Sequence, residues 1–412
     1  MVVRSGPLLA PRLGLGGWSA GPPVSAPEDT APPATLAVMR VEDLGTPAAL
    51  VDLEVVERNA SRMSEKASSL GVRLRPHVKT HKTIEAARLQ VGGHFGGITV
   101  STLAEAAFFA AGGFRDITYA VPIVPAKLAA AARLSQQLDR ISVLLDDPAA
   151  ADAVEVCARE HGIRFSVFLK VDCGGRRAGV DPERDGIVAL AGRLAASPHI
   201  DFRGILTHAG QSYRCRGRDE IRAVAAHERD VMVVLAARLR DAGVPVEEVS
   251  IGSTPTLAVA EDLAGITEVR PGNYVFFDAT QVAIGSCALE DVAFTVLVRV
   301  IGRYPRRREL LVDGGALALS KDPGPLHVVP ECGFGIVLDV RGVPIEHLRV
   351  VSLSQEHGVV RSARDLRPGE FPIGSLLRVV PNHSCLAAAL FDRYAVLRGA
   401  DVVGEWHPVR GW

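Results

Sequence analysis

The sequence predicts an α/β protein in which a (β/α)8 barrel is followed by a smaller all-β domain. From about residue 46, short apolar strand-like segments alternate with Ala- and Leu-rich helical segments, making eight units in roughly 230 residues. A barrel of eight such units usually takes ~250 residues. From about residue 290 the helical segments give way to β-rich runs with Gly and Pro turns. A doubly wound open sheet is the alternative for the first part, but the near-equal spacing and the count of eight favour the barrel.

The composition divides the chain into three regions. The first 35 or so residues are rich in Pro, Gly and Ala. Their apolar run, 8-LLAPRLGLGGW-18, is interrupted by Pro, Arg and Gly, which argues against a signal peptide and for disorder. The expected regions are a disordered tail at 1–40, the barrel at 41–288 and the β domain at 289–412.

The elements follow from the spacing of apolar residues. A buried strand at 48–53 comes first, followed by a helix at 54–71 that Gly71 ends. The eight barrel strands are the one that leads into His77 and those at 97–101, 116–121, 141–146, 164–172, 202–208, 247–252 and 266–270. Helices are predicted between them, for instance at 102–112, 125–137 and 219–243. The β domain has strand-like runs at 293–302, 309–315, 348–354 and 375–383.

Charge and cysteine content exclude several classes of protein. The net charge is −1 and no long run has one sign, so neither nucleic acid nor an anionic membrane is an expected partner. The longest apolar runs are too short or too broken by charge to span a bilayer. The six cysteines include no CxxC pair, which is typical of a reduced, intracellular protein. We therefore expect a cytoplasmic location.

Polar clusters follow several predicted strands, where the active site of a βα barrel lies. The first, 75-RPHVKTHK-82, contains two lysines. A lysine becomes a nucleophile towards carbonyls when burial or cationic neighbours lower its pKa. On an extended chain Lys79 shares a face with His77 and His81, whereas Lys82 faces the other way and adjoins the start of a helix. This parity favours Lys79 for an inward role and Lys82 for a surface or helix-start role.

Two further clusters fit an anion site. In 252-GSTPT-256 the hydroxyls and the main-chain N–H groups at a helix start favour an anion near the seventh strand, although an ordinary N-cap turn is an equal alternative. The turn 271-PGNY-274 one unit later favours the anion site, because barrel phosphate sites draw on adjacent loops. A lysine on strand one with a phosphate site near strands seven and eight is the layout that pyridoxal phosphate requires.

The β domain contains 382-NHSC-385. If this segment is extended, His383 and Cys385 share a face, and imidazole and thiolate are good zinc ligands. A closed zinc site needs four ligands, however, and no second pair at metal spacing is evident. From the spacing alone, a buried His and Cys is the favoured interpretation.

The motifs in their order resemble the fold-type III pyridoxal-phosphate enzymes, within the D-serine dehydratase and D-threonine aldolase group. The resemblance covers about Leu44 to the C-terminus and rests on 75-RPHVKTHK-82, 114-FRDITYAVPI-123, 204-GILTHAGQSY-213, 252-GSTPT-256, 269-VRPGNYVFFD-278, 313-DGGALALSKD-322 and 381-PNHSC-385. It implies an alanine racemase-like fold and a homodimer in which each subunit completes the other's site. It also implies that Lys79 holds pyridoxal phosphate as a Schiff base and that Arg177 lies beside the pyridoxal ring. The other cofactor contacts that it implies are Tyr213, Thr254, Gly272 and Asn273.

The resemblance also changes the interpretation of 381-PNHSC-385. The eukaryotic-type D-serine dehydratases hold zinc with a His-x-Cys pair in a Pro-Asn-His setting, which implies zinc on His383 and Cys385. The aldolases have Asp as the second ligand, and a soft thiolate suits zinc better. The implied reaction is dehydration of a β-hydroxy D-amino acid, with D-serine first, to a keto acid and ammonia. A D-threonine aldolase and an amino-acid racemase are the alternatives, although residues 305–392 contain no tyrosine for a racemase base.

Overall fold

The computed structural model describes residues 39–412. The predicted disordered tail at 1–40 lies outside the described residues except for its last two. The strands are β1 (Ala48–Asp52), β2 (Arg73–Leu74), β3 (Ile98–Val100), β4 (Asp116–Pro122), β5 (Arg140–Leu145), β6 (Phe165–Lys170), β7 (Ile200–Leu206), β8 (Glu248–Ile251), β9 (Glu268–Val269), β10 (Phe294–Tyr304), β11 (Glu309–Val312), β12 (Ile336–Leu338), β13 (Pro344–Leu353), β14 (Gly358–Ser362), β15 (Leu376–Val380), β16 (Tyr394–Arg398) and β17 (Asp401–Trp406).

The helices lie mainly between the barrel strands. They are α1 (Leu53–Ser69), α2 (Ile84–Val91), α3 (Leu103–Ala111), α4 (Pro125–Ser135), α5 (Pro148–His161), α6 (Gly186–Ala196), α7 (Arg218–Asp241), α8 (Thr254–Val259), α9 (Ala279–Ala283), α10 (Ala316–Leu319) and α11 (Ser384–Ala388). Several begin at a capping side chain, as where Asp52, Thr102 and Asp147 accept a hydrogen bond from the first turn. Among residues 39–412, no helix combines the length and apolar character needed to cross a bilayer.

The predicted barrel is confirmed. Eight parallel strands pair in the order β2-β9-β8-β7-β6-β5-β4-β3. A bridge between His77 and Thr99 joins β3 to the chain that leaves β2, with Val78 N donating to Thr99 O at 2.9 Å. The strands are apolar and almost wholly buried, as expected for a parallel sheet covered by helices.

The N-terminal end of the barrel is closed by ion pairs. Arg75 is fully buried and pairs with Glu268 and Asp116, both at 2.7 Å. Arg140 pairs with Asp116 and with Glu248, again at 2.7 Å. Because buried charges are costly unless paired, these residues act as one network, at the end of the barrel opposite to the active-site end.

The second sheet has the strand order β11-β14-β13-β12-β15-β10-β1-β16-β17. Its strands come from the region after residue 290, except for β1, which pairs antiparallel with β10 and parallel with β16. The predicted strand at 48–53 therefore exists but belongs to the second sheet. In the sequence, β1 of the second sheet comes before the first barrel strand. The chain passes from β1 directly into α1 and then into the barrel.

Candidate active site

A cavity of about 570 Å³ lies at the C-terminal ends of the barrel strands, next to α11 of the β domain. All eight residues that the sequence singled out line it: Lys79, Arg177, Tyr213, Thr254, Gly272, Asn273, His383 and Cys385. A larger cavity of about 860 Å³, lined by residues 321–363 of the β domain, contains none of them. The smaller cavity is therefore the candidate active site, because titratable and polar groups from both parts of the chain converge there.

Lys79 lies in a loop at 77–83, called here the lysine loop. The extended conformation assumed from the sequence ends at His77, because residues 78–81 form a turn in which Lys82 N donates to Val78 O at 2.9 Å. His77 and Lys79 both line the cavity. The expectation for His81 is wrong, since its ring turns away from the cavity and its Nε2 lies 2.8 Å from Gln90 Oε1.

Lys82 has a defined partner. Its Nζ lies 3.1 Å from Oε1 of Glu105, a buried carboxylate of α3. The sequence-based role as surface or helix-start charge is thus replaced by a partly buried ion pair. This pairing leaves Lys79 as the lysine of the loop that reaches the cavity.

Burial is the main influence on the ionisation of Lys79. It lowers the pKa of the amine, the negative charge of Cys385 opposes this, and the positive charge of Arg177 lowers the pKa further. A lowered pKa increases the fraction of neutral amine near neutral pH, and the neutral amine is the form that attacks carbonyls and accepts protons.

Two turns supply main-chain donors on the β8 and β9 side of the cavity. Ser253 caps α8, with its Oγ accepting from Thr256 N at 3.3 Å, so the N-cap interpretation of 252–256 is correct. Tyr274 N donates to Thr254 Oγ1 at 3.1 Å and thereby joins this turn to the 271–274 turn. Within the described chain, the N–H groups of Gly272 and Asn273 have no acceptor, whereas that of Thr254 donates to the Tyr213 hydroxyl. The two free N–H groups of this turn fit a polar, anionic group.

Gly272 allows the second turn to approach the lysine loop. A Cβ at this position would lie 2.7 Å from His77 O and 2.8 Å from His77 Cβ. Only glycine fits this contact without displacing one of the two segments. The 271–274 turn and the lysine loop are thus packed directly against each other.

His383 and Cys385 lie at the start of α11. His383 is the N-cap residue and Cys385 is in the first turn, so the extended conformation assumed from the sequence is wrong. Both side chains nevertheless line the cavity. His383 Nδ1 lies 3.3 Å from Oδ2 of Asp322, and Cys385 Sγ lies 3.2 Å from Oγ1 of Thr80 in the lysine loop.

The charges around Cys385 favour its thiolate. Burial raises the pKa of the thiol, but the charge and hydrogen bond of His383 and the charge of Lys79 outweigh it and bring the pKa to about 7. Imidazole and thiolate are the ligands that zinc prefers. Within residues 39–412, no group of three or more His, Cys, Asp and Glu side chains is placed to hold a metal. A metal on this pair would therefore depend on water or substrate for its other ligands.

Comparison with known proteins agrees with this arrangement. Residues 51–280 match the family model described as "Alanine racemase, N-terminal domain", and residues 293–397 match "Putative serine dehydratase domain". The chain is 40% identical to the D-threo-3-hydroxyaspartate dehydratase of Delftia sp. (strain HT23) and 38% identical to the D-serine dehydratase of Dictyostelium discoideum. Each match covers 90% of this chain and 98% of the relative. The solved D-threonine aldolase from Filomicrobium marinum superposes with a TM-score of 0.80 at 28% identity, over 91% of this chain and 98% of the aldolase.

The chain belongs to the D-serine dehydratase and D-threonine aldolase family of fold-type III pyridoxal-phosphate enzymes. The dehydratases and aldolases of this family are lyases. The resemblance inferred from the sequence motifs is confirmed. The predicted combination of an eight-stranded barrel and a β domain is confirmed as well, because it is the alanine racemase-like fold.

Besides His77, which the sequence grouped with Lys79, three ionisable cavity residues of this family member were not identified from the sequence: Lys170, His208 and Arg270. Burial lowers the pKa of all four, to about 7 for Lys170 and to about 10 for Arg270. Each lies at or just beyond the end of a predicted strand, which is the signal that could have found them. The lowered pKa values leave His77 and His208 neutral near pH 7. The positive charge of the cavity therefore comes from Arg177 and Arg270, with Lys170 partly charged, and it fits an anionic cofactor and a carboxylate substrate.

Proposed function

We propose that this chain is a pyridoxal-phosphate- and zinc-dependent dehydratase of a β-hydroxy D-amino acid, with D-serine as the favoured substrate. The products would be pyruvate and ammonia. The observation that carries the proposal is that Lys79 and the pair of His383 and Cys385 line a single cavity. A proton acceptor and a metal-ligating pair thus face the same space from two different parts of the chain.

The residues that would hold pyridoxal phosphate are Lys79, Arg177, Tyr213, Thr254, Gly272 and Asn273. Support comes from the free N–H groups of Gly272 and Asn273 for its phosphate and from the buried lysine amine for its aldehyde. When bound, the cofactor would withdraw electrons from the Cα atom of the substrate. The lowered pKa of Lys79 suits its amine to accept the Cα proton.

His383 and Cys385 would hold zinc, and Asp322 would fix the His383 ring through its Nδ1. Zinc would polarise the β-hydroxyl of the substrate and favour its departure. One solved structure of D-threo-3-hydroxyaspartate dehydratase is described as a cysteine-to-alanine mutant in the metal-free form. The β-hydroxyl leaves as a water molecule. A water molecule is then consumed when the enamine product hydrolyses to keto acid and ammonia, so the atoms balance.

The proposal has alternatives in both substrate and reaction. D-threo-3-hydroxyaspartate is the alternative within the dehydratases, since the identity to that enzyme is 40% and to D-serine dehydratase 38%. A D-threonine aldolase, which would yield glycine and acetaldehyde, is the alternative that breaks a carbon–carbon bond. A racemase of the same fold is the least supported, because Tyr394 is the first tyrosine after Tyr304 and it is fully buried.

We further propose a cytoplasmic homodimer that binds neither nucleic acid nor membrane. Apolar side chains remain exposed close to the cavity, which supports a covering subunit. Val121 lines the cavity and is 41% exposed, and Leu386, next to Cys385, is 45% exposed. Burying such residues against a second copy would shield the site from water.

The proposal is tested by incubating the purified protein with D-serine, D-threonine and D-threo-3-hydroxyaspartate. Keto acid, ammonia and glycine are measured with added zinc and after chelation. The expected result is ammonia and keto acid from D-serine, lost on chelation and restored by zinc. Glycine from D-threonine without keto acid would instead establish the aldolase, and activity that survives complete chelation would refute the zinc requirement.

The two lysines of the loop offer a matched pair of variants. Lys79→Ala should abolish the absorbance band at about 420 nm that a lysine-bound pyridoxal cofactor gives. It should also lower the activity by at least ~10³-fold. Lys82→Ala should keep the band, because its Nζ pairs with Glu105 rather than facing the cavity. A retained band in Lys79→Ala would contradict the assignment of the cofactor lysine.

A further inference from the structure

Tyr394 connects the two halves of the proposed site, although it does not line the cavity. Its hydroxyl lies 3.1 Å from the main-chain oxygen of His81 in the lysine loop and 3.2 Å from that of Ala388 at the end of α11. His81 is two residues from Lys79, and Ala388 is three residues from Cys385. A single buried hydroxyl therefore contacts the main chain of both segments that carry the proposed chemistry.

The ring of Tyr394 is held independently of its hydroxyl. It packs edge-on against Phe276 and Phe294, with ring centroids 6.1 and 6.0 Å away. The residue is fully buried at the start of β16. Since phenylalanine has the same ring, this packing would survive removal of the hydroxyl, and the two roles of Tyr394 can be separated experimentally.

The two carbonyls differ in their other partners. Within the described residues, His81 O accepts a hydrogen bond from Tyr394 only. Ala388 O also accepts from Arg410 Nη2 at 3.0 Å and from Phe391 N at 3.3 Å. One O–H has one hydrogen to share between the two carbonyls, and His81 O has no other donor, so the lysine loop depends on the Tyr394 hydroxyl more than α11 does.

We infer that the hydroxyl of Tyr394 is a positioning group that sets the lysine loop against α11, and so sets Lys79 relative to His383 and Cys385. The effect of this arrangement on catalysis rests on the proposed function. The arrangement itself rests only on the hydrogen bonds. Loss of the hydroxyl should loosen both segments and misplace the proposed zinc pair. Outer residues of metal sites commonly alter affinity by 10–100-fold.

The test compares Tyr394→Phe with Tyr304→Phe and Arg410→Gln. Tyr304 is 41% exposed and packs over Arg307, so it is a control for loss of a tyrosine hydroxyl. Amide hydrogen exchange is followed in peptides covering 77–83 and 384–390 of the holoenzyme. Zinc affinity is measured by competition with a chromogenic chelator, and kcat and KM are measured with D-serine.

Tyr394→Phe should speed exchange in both peptides, weaken zinc about tenfold and lower kcat more than it raises KM. Arg410→Gln should speed exchange in 384–390 but not in 77–83, and Tyr304→Phe should change neither. Unchanged zinc affinity with an even rise in exchange across the barrel would overturn the inference, as would equal effects of Arg410→Gln on both peptides. If the wild type neither binds zinc nor dehydrates D-serine, the proposed function fails, while the exchange data still decide the role of Tyr394.

Discussion

Asp322 shows how a residue outside the cavity lining can orient His383, the proposed metal ligand. Its Oδ1 accepts from Gly324 N at 2.8 Å, and its main-chain oxygen accepts from Asn382 Nδ2 at 3.0 Å. These bonds fix the carboxylate, whose Oδ2 lies 3.3 Å from His383 Nδ1. A carboxylate on Nδ1 favours the tautomer in which Nε2 is free to bind a metal.

Asp322→Asn is expected to weaken zinc binding by roughly 10–100-fold, because an amide no longer favours that tautomer or supports the imidazole charge. Zinc affinity would be measured by chelator competition, and binding of pyridoxal phosphate by absorbance. The cofactor should still bind, since Asp322 does not line the cavity. Asp365→Asn is the control, as Asp365 is exposed in the same domain. Equal zinc affinity in both variants would exclude a role for Asp322.

At the scale of elements, the site depends on close packing between the 271–274 turn and the lysine loop. His77 N donates to Pro271 O at 2.9 Å, and Gly272 leaves no room for a side chain against His77. The short strands β2 and β9 end just before these segments. The spacing of two loops is thus determined by the pairing of two neighbouring barrel strands.

Gly272→Ala should therefore push the two segments apart. We expect a loss of about 1–3 kcal/mol in unfolding free energy, the usual range for overpacking, and weaker binding of pyridoxal phosphate. Urea unfolding and cofactor titration would measure the two effects. Gly186→Ala is the matched control, since a Cβ there has no atom within 4 Å. Wild-type cofactor affinity in Gly272→Ala would show that the turn does not contribute to the cofactor site.

At the scale of the whole molecule, the candidate active site and a stabilising ion-pair network lie at opposite ends of the barrel. The buried network of Arg75, Asp116, Arg140, Glu248 and Glu268 closes the N-terminal end. Burial raises the pKa of Asp116, but the hydrogen bonds and charges of the two arginines outweigh it and lower the pKa to about 2. A folded-state pKa below the ordinary value of 3.8 means that the ionised form stabilises the fold.

The stability from Asp116 should be fully present above about pH 4 and be lost as the pH falls through about 2. Asp116→Asn should thus lower the unfolding free energy by about 2 kcal/mol at pH 7, since one pKa unit corresponds to about 1.4 kcal/mol. The difference from wild type should shrink between pH 4 and pH 2, as followed by urea unfolding. Asp139→Asn, at an exposed position nearby, should behave as wild type. A difference that stays constant over this range would argue against the ionisation of Asp116 as its cause.

Much of the fold was predictable because its signals are local. Alternating apolar strands and amphipathic helices repeat along the chain, and glycines and capping residues mark their ends. The topology of β1 was not predictable, since a buried strand has the same apolar pattern in either sheet. The orientations of His81 and of the 383–385 segment were also misjudged, because strand parity fails where the backbone turns or becomes helical.

The sequence by itself determined the residue types of the site and their order along the chain. A lysine after strand one, hydroxyl and glycine turns near strands seven and eight, and a His-x-Cys pair in the β domain are all local patterns. Only the tertiary structure decided that Lys170, His208 and Arg270 join Lys79 in the cavity, and that Lys82 pairs with Glu105. The reason is physical: burial, charge environment and partners such as Tyr394 arise from contacts between residues as much as 313 positions apart, which no local pattern encodes.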